Sequence, residues 1–160
     1  MIAVLQRVKS GKVVVEGATV GSIERGFVVL LGVARGDGKK EADYLARRVA
    51  ELRVFEDGHG RMNRALAEDG GAVLVVPQFT LLAGLKDGRR PDFVDAAEPV
   101  VARALFERLV AELRARGLPV STGAFGAQML VEIHNDGPAT FILDTRELMK
   151  SGSGVAGQPE

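Results

Sequence analysis

The chain has 160 residues, 21 of them basic and 21 acidic, so its formal net charge is zero. This length suits one domain, and a hydrophobic content of 46% is enough for a sizeable core. A neutral chain has no overall field that attracts a nucleic acid or a membrane, so any polyanion must be bound by a local patch. The absence of cysteine excludes disulfides, thiolate metal sites and a cysteine nucleophile, and is consistent with a cytoplasmic protein. We expect no signal peptide, because the chain starts with a strand-like segment and has no charged n-region and no long apolar h-region there. We expect no transmembrane helix, because no apolar run reaches about 18 residues.

The first half of the sequence predicts several strands and one helix. Residues 2–8, 12–16 and 19–23 are short β-rich runs separated by glycines, and residues 27–33 form a longer apolar run. Residues 72–76 form a continuous apolar run after two glycines, which predicts a strand buried on both faces. Between these runs, apolar residues recur at helical spacing and predict the first helix. They are Ala42, Leu45, Val49 and Leu52.

A second helix is predicted in the region after residue 95. Asp95 can cap it, Pro99 is tolerated in its first turn, and Gly117 ends it. One side of this helix is apolar, through Leu105, Leu109, Val110 and Leu113.

The last part of the sequence predicts two strands and a tail. In residues 129–134 apolar residues alternate with more polar ones, which predicts a strand with one face in the core. Residues 140–144 return as a second strand. We predict that residues 1–148 form one domain and that residues 149–160, rich in glycine, form a flexible tail. The expected core-facing residues of the first of these strands are Met129, Val131 and Ile133.

Two short segments place polar and conformationally special residues beside apolar strands, where binding sites are often found. The first, residues 77–81, reads Pro-Gln-Phe-Thr-Leu and follows the strand at 72–76. The second, residues 135–140, reads Asn-Asp-Gly-Pro-Ala-Thr and lies between the last two predicted strands.

Three roles are open for the first segment. Thr80 carries a hydroxyl, but it is a weak nucleophile without an adjacent base, and it can equally satisfy a backbone group where the strand ends. The consecutive N–H groups of Gln78, Phe79 and Thr80 can instead stabilise a developing oxyanion, at roughly 3 to 4 kcal/mol per donor. Pro77 has no N–H and cannot contribute.

Two conformations are open for the second segment. Asn135, Asp136 and Gly137 are turn-forming residues and Pro138 interrupts ladder pairing, so the plain interpretation is a hairpin turn. The alternative is a cis Gly-Pro bond that presents carbonyl oxygens in a fixed direction, although only about 5 to 6% of X-Pro bonds are cis.

The remaining reactive residues give weak signals. The chain has two histidines, His59 in a glycine-rich turn and His134 on a predicted solvent face, so we expect surface residues and no Ser-His-Asp triad. They lack the spacing of zinc ligands, so we predict no metal site and no cofactor. A basic cluster before Pro91 is either a solvated loop or a set of phosphate contacts without sequence specificity. It consists of Lys86, Arg89 and Arg90.

Over residues 1 to about 145 the chain resembles the D-aminoacyl-tRNA deacylase family, in its common bacterial and eukaryotic form. The family signatures Ser-Gln-Phe-Thr-Leu and Asn-x-Gly-Pro-x-Thr correspond to residues 77–81 and 135–140, in that order. One departure is Pro77, which stands where the family usually has serine and therefore lacks a hydroxyl and an N–H. Supporting matches are Gln6-Arg7-Val8, Leu30-Leu31-Gly32-Val33, Arg61-Met62-Asn63, Arg90-Pro91-x-Phe93, and Phe125-Gly126-Ala127 with Met129.

The resemblance implies hydrolysis of the ester between a D-amino acid and the 3′-terminal ribose of tRNA, and also of glycyl-tRNA, by a homodimer with its sites at the interface. Catalysis would use backbone groups of Gln78, Phe79 and Thr80 together with the terminal 2′-hydroxyl of the tRNA. Gly137 and Pro138, which are cis in the family, would enter the partner's pocket, hold the α-amino group and obstruct an L side chain. The expected pocket residues are Phe125, Met129, Asn135 and Thr140, and the expected tRNA backbone contacts are Lys86, Arg89 and Arg90.

We therefore predict a single α/β domain with a mixed, mostly antiparallel sheet, barrel-like β layers and two main helices. One alternative function is an RNA-binding module without catalysis, but such modules usually interleave aromatic and basic residues on a strand, and this pattern is missing. The other is a hydrolase of small D-aminoacyl esters or D-peptides, which salt dependence would distinguish.

Overall fold

The computed structural model describes residues 1–150. Within this range one mixed sheet has the strand order β2-β1-β3-β6-β7, and β8 also pairs with β1. β1 is antiparallel to β2, β3 and β8, whereas the β3–β6 and β6–β7 pairs are parallel. The strands are β1 (Ile2–Val15), β2 (Ala18–Ile23), β3 (Gly26–Gly32), β4 (Phe55–Glu56), β5 (Met62–Arg64), β6 (Ala72–Pro77), β7 (Val120–Thr122) and β8 (Leu130–Asp144).

The two main helices that the sequence predicts are present, and they pack together beside this sheet. Asp43 of the first and Arg108 of the second form a two-pronged ion pair, with Nε–Oδ1 and Nη2–Oδ2 distances of 2.7 and 2.8 Å. The helices are α1 (Lys39–Glu51), α2 (Leu66–Asp69), α3 (Pro99–Ala115) and α4 (Thr145–Leu148), and a 3₁₀ helix spans Phe79–Leu82.

The ends of the sheet curl towards each other, which gives the barrel-like form. Ser121 Oγ of β7 donates to the carbonyl of Ser22 in β2 at 3.0 Å. A Cβ atom at Gly21 would lie 2.3 Å from the carbonyl oxygen of Thr122, so only glycine permits this approach. The predicted fold class is confirmed.

The core has two parts. Between the sheet and the two long helices lies a cluster that includes Leu5, Phe27, Leu45, Val75 and Leu109, all fully buried. The other cluster lies on the opposite side of the sheet, where Met129, Val131 and Ile133 pack as predicted. Its buried members are Val8, Val13, Ile23, Val28, Leu74 and Val76.

Two sequence predictions about element boundaries are wrong. Residues 2–8 and 12–16 form one continuous strand, because Gly11 is not a turn residue: a Cβ there would lie 2.5 Å from Val28 Cγ2. The second long helix is not capped by Asp95. It begins at Pro99 after the N-cap Glu98, and the Asp95 carbonyl instead accepts the N–H of Arg35 at 2.8 Å.

The C-terminal prediction is only partly covered. Of the proposed tail 149–160, residues 151–160 lie outside the described residues. None of the helices in residues 1–150 is long and apolar enough to cross a membrane.

Candidate active site

The first signature segment lies where β6 ends in the middle of the sheet. After Pro77 the chain leaves the ladder and turns into the 3₁₀ helix. The N–H of Gln78 still donates to the carbonyl of Leu31 at 2.8 Å. At Gly32 a Cβ would lie 2.5 Å from Leu82 Cδ2 and 3.1 Å from the Gln78 carbonyl oxygen. The missing side chain of Gly32 therefore sets how closely this turn approaches β3.

Of the three backbone donors expected here, two remain available. The first N–H groups of a helix have no acceptor within it, and here they belong to Gln78, Phe79 and Thr80. The Gln78 N–H is bonded to Leu31, which leaves the amides of Phe79 and Thr80 at the exposed end of the turn. The Gln78 side-chain amide donates to Thr80 Oγ1. That hydrogen bond gives the hydroxyl a structural partner.

A cavity of about 610 Å³ opens beside this turn. β3, the end of β6, the loop before α3, α3 itself and residues 125–131 form its walls. Of the predicted pocket and catalytic residues, those that line it are Gln78, Phe79, Phe125 and Met129. Thr80, Asn135, Gly137, Pro138 and Thr140 are outside this lining.

The walls of the cavity are mainly apolar and aromatic. Phe79, which is 59% exposed, contacts Phe93 edge-on with ring centroids 4.9 Å apart. Among the lining residues Arg35 and Glu98 are the ionisable ones, and they pair with each other at 3.4 Å. No histidine lines the cavity. The one carboxylate of the lining is therefore held in an ion pair.

The second signature segment is a bulge within one continuous strand, and the predicted hairpin turn is wrong. Gln6 pairs with Thr140 and Val8 with Asn135, so one residue of β1 faces four residues of β8, numbers 136–139. The Gly137-Pro138 bond is cis. Local turn propensity suggested that the chain reverses here, but pairing with β1 on both sides keeps the strand direction.

Arg7 supports this bulge, and sequence reasoning assigned it no role. Its side chain is buried, and it donates to the carbonyls of Asp136 at 3.1 Å and Val54 at 2.7 Å. A Cβ at Gly137 would lie 2.9 Å from Arg7 Nη2. Arginine is seldom buried without partners, but its position in a strand pattern did not reveal that it is buried.

Asn135 and Thr140 sit at the two ends of the bulge and bond within the chain. Asn135 Oδ1 accepts the N–H of Ala139 at 2.9 Å, and its Nδ2 donates to the Ala139 carbonyl at 3.3 Å. Asn135 Nδ2 and Thr140 Oγ1 both donate to Gln6 Oε1. Hydrogen bonds within the chain thus connect the two ends of the bulge to each other and to β1.

The basic cluster lies on a loop next to the cavity. Gly84 and Asp92 close this loop through two backbone hydrogen bonds of 2.8 and 3.1 Å, directly after the 3₁₀ helix and directly before Phe93. Its cations Lys86, Arg89 and Arg90 are exposed.

The histidines are exposed, as predicted. The backbone N–H of His59 donates to Asp57 Oδ1 at 2.8 Å in its turn, and His134 pairs with Ser10 across β8 and β1. In the part of the chain that the structure describes, no group of three or more His, Cys, Asp or Glu side chains is arranged to hold a metal ion.

These features define a class: a small α/β protein with an apolar cavity at a strand end, backbone donors beside it and no histidine in its lining. The chain matches the family described as D-Tyr-tRNA(Tyr) deacylase over residues 4–144. It belongs to this family.

Individual relatives are similar in sequence to this chain along nearly their whole length. A D-aminoacyl-tRNA deacylase from Anaeromyxobacter dehalogenans is 55% identical over 92% of this chain and 99% of its own. One from Thermus aquaticus is 54% identical over 92% of this chain and 97% of its own. A solved structure described as c-Myc DNA Unwinding Element Binding Protein is 37% identical, with a TM-score of 0.84, covering 90% of this chain and 98% of that one.

Proposed function

We propose that the protein hydrolyses the ester bond of D-aminoacyl-tRNA and releases the free D-amino acid and tRNA. Its family consists of deacylases, so the chain is a hydrolase. The observation that carries the finer proposal is the pair of amides at Phe79 and Thr80, beside an apolar cavity whose lining offers no histidine.

The backbone supplies the catalytic stabilisation in this proposal. A water oxygen attacks the ester carbonyl carbon, and the negative charge that develops on the carbonyl oxygen is stabilised by the N–H groups of Phe79 and Thr80. The bond from carbon to the ribose 3′-oxygen then breaks, and that oxygen takes up a proton. The terminal 2′-hydroxyl of the tRNA relays the proton from the water, since no histidine lines the cavity and its one carboxylate, Glu98, is paired with Arg35. Gln78 orients Thr80 through its side-chain amide.

Gly137 and Pro138 act as the stereochemical filter in the proposal. Their carbonyls hold the substrate's α-amino group, and the rigid segment obstructs an L side chain. An obstruction can exclude a stereoisomer, whereas apolar fit discriminates by only about 1 to 3 kcal/mol per methylene. Glycine has no side chain to obstruct, so glycyl-tRNA is hydrolysed as well.

The active unit in this proposal is a homodimer with its sites at the interface. Gly137 and Pro138 are exposed and lie outside the cavity lining of their own chain, so a second copy is needed to bring the filter to the cavity. Asn135 and Thr140 serve the substrate pocket by shaping the filter, while Phe125 and Met129 form cavity walls.

The tRNA reaches this site from outside the cavity in the proposal. Lys86, Arg89 and Arg90 contact its phosphates, because their closed loop is joined to both Phe79 and Phe93 at the cavity mouth through short connections. These contacts carry no sequence information. The absence of cysteine fits a cytoplasmic location, where charged tRNA is found.

The central test compares D-tyrosyl-tRNA with L-tyrosyl-tRNA as substrates of the purified, metal-free protein. We expect release of D-tyrosine and little release of L-tyrosine, and equal hydrolysis of both would refute the filter. Raising salt should weaken tRNA binding steeply, because phosphate contacts release counterions. A small D-tyrosyl ester serves as the matched control, and an equal response of the two substrates to salt would favour the RNA-independent hydrolase.

The role of the backbone is tested with Thr80→Ala. This variant keeps the amide N–H and removes the hydroxyl, so kcat should stay within about tenfold of the unchanged protein, well below the 10²–10³ loss typical of a missing oxyanion donor. Near-total loss of kcat in a folded variant would instead support Thr80 as the nucleophile. Pro77→Ser adds the hydroxyl and N–H of the usual family residue, and an unchanged kcat would show that neither is needed here.

A further inference from the structure

We propose that Gln6, Asn135 and Thr140 form a positioning clamp that fixes the Gly137-Pro138 segment and thereby sets the D-over-L selectivity of the enzyme. This inference rests on the proposed filter role of that segment. It assigns the three side chains a function through the filter rather than through contact with substrate.

The clamp is needed because the bulge has no strand partner of its own. Residues 136–139 face a single residue of β1, so the regular ladder cannot satisfy their backbone groups. Among residues 1–150, β8 pairs with β1 alone, so no strand in this range supports the bulge from its other edge. Side chains must therefore fix its position.

Asn135 closes the base of the bulge. Its side-chain amide bonds both main-chain groups of Ala139, the N–H at 2.9 Å and the carbonyl at 3.3 Å, as a neighbouring strand would. Ala139 is buried, at 5% exposure, so water cannot replace these bonds easily. The distance between the two ends of the bulge is thereby set.

Gln6 connects the clamp to the sheet. Its Oε1 accepts hydrogen bonds from Asn135 Nδ2 on one side of the bulge and Thr140 Oγ1 on the other. Successive residues of a strand point to opposite faces, so Gln6 and Arg7 hold the bulge from the two faces of β1. The segment between them cannot shift without breaking one set of bonds.

None of the three clamp residues lines the cavity of its own chain, and the structure already engages the polar side-chain atoms that form the clamp. Their effect on the reaction therefore passes through the position of the Gly137 and Pro138 carbonyls. A displaced filter would obstruct an L side chain less completely, so the expected change is in selectivity.

The test replaces the shared acceptor. Gln6→Met removes Oε1 at similar length, whereas the matched control Gln6→Glu keeps oxygen acceptors for Asn135 and Thr140. The readout is kcat/KM for D-tyrosyl-tRNA and L-tyrosyl-tRNA. We expect Gln6→Met to lower the D-over-L ratio about tenfold, the effect of about 1.4 kcal/mol, and Gln6→Glu to keep most of it.

Thr140 provides a second pair if the first variant does not fold. Thr140→Val removes the hydroxyl at constant shape, and Thr140→Ser keeps it, so Ser should retain more of the D-over-L ratio than Val. An unchanged D-over-L ratio in folded Gln6→Met and Thr140→Val would overturn the inference. It would also be overturned if kcat/KM for the D and L substrates fell by the same factor while the thermal midpoint fell, because that pattern indicates only a loss of stability. If the unaltered protein itself hydrolyses both forms equally, the proposed function fails instead.

Discussion

The end of β6 and the bulge of β8 are held in place by different kinds of interaction. The end of β6 pairs with β3, and backbone bonds and close packing hold it, as at Gly32. The bulge lies on β8, which within the described part of the chain pairs with β1 alone, and side chains hold it, above all Arg7 and Asn135. A site held by the backbone should tolerate the loss of side chains but not added bulk. A site held by side chains should respond strongly to their loss.

The largest effect is expected for Arg7→Met. This change leaves the carbonyls of Asp136 and Val54 without their donor inside the protein, where an unpaired polar group is costly. We expect a loss of about 3 kcal/mol in the free energy of unfolding. Urea denaturation of the variant and the unaltered protein measures it.

Lysine is the matched control for that prediction. Arg7→Lys keeps the charge, but its compact ammonium lacks the guanidinium fork that reaches both carbonyls, so it should recover only part of the loss. Full recovery with lysine would mean that charge alone supports the bulge. If the Arg7→Met protein is as stable as the original, the Arg7 side chain does not hold the bulge in place.

A smaller effect, by steric bulk, is expected at the strand end. Gly32→Ala places a Cβ against Leu82 and the Gln78 carbonyl, at 2.5 and 3.1 Å. We expect about 1–3 kcal/mol of destabilisation from overpacking, together with a lower kcat because the amides of Phe79 and Thr80 move. Unfolding curves and single-turnover hydrolysis measure the two effects.

Gly58→Ala is the control for added bulk, since nothing lies within 4 Å of a Cβ at that position. It should change stability by less than about 0.5 kcal/mol. If Gly32→Ala behaves like Gly58→Ala in both measurements, close packing does not fix the strand end.

The third prediction concerns Gly137 itself. Its φ of +128° is unfavourable for other residues, and a Cβ would approach Arg7 Nη2 to 2.9 Å. Gly137→Ala should cost about 1–2 kcal/mol and impair the hydrolysis of D-tyrosyl-tRNA. Gly117→Ala shares a positive φ, +81°, without any neighbour within 4 Å, and isolates the backbone contribution. Equal hydrolysis of D-tyrosyl-tRNA by the two variants would mean that the bulge has no role in catalysis.

The sequence predicted most elements whose signal is local. The apolar periodicity of α1 and the buried run of β6 led to correct elements because burial follows directly from those patterns. The family resemblance is the basis for placing Phe125 and Met129 in the pocket, because the alternation at residues 129–134 predicts only that Met129 faces the core.

The features that were missed depend on pairing between distant parts of the chain. Asn135 to Pro138 has the composition of a turn, and only its register with β1 makes it a bulge. Arg7 is likewise a charged residue in a strand, and its burial depends on Val54 and Asp136, which are far away in sequence. The position of Gly11 between two β-rich runs indicates a turn, because the sequence does not show Val28 packed against it.

The smallest effect is expected at the end of β8, where charge contributes. Asp144 caps α4 by accepting the N–H of Arg146 at 2.9 Å, and the Arg146 guanidinium lowers the pKa of Asp144 through a hydrogen bond. The stability from this pair is therefore fully present above the unfolded pKa, about 3.9, and is lost as the pH falls through the lower folded pKa. The Arg146 side chain is 49% exposed, so solvent screening keeps the contribution below about 1 kcal/mol.

Asp144→Asn separates this charge from the cap, because asparagine can still accept the Arg146 N–H. The difference in unfolding free energy between the two proteins should be present at pH 7 and disappear in acid, as measured by urea denaturation at both pH values. The contacts named for the strand end are between neutral backbone and apolar groups, so the Gly32→Ala penalty should stay constant over the same range. A Gly32→Ala penalty that varied with pH as much as the Asp144→Asn penalty would mean that charge contributes as much to stability at the end of β6 as at the end of β8.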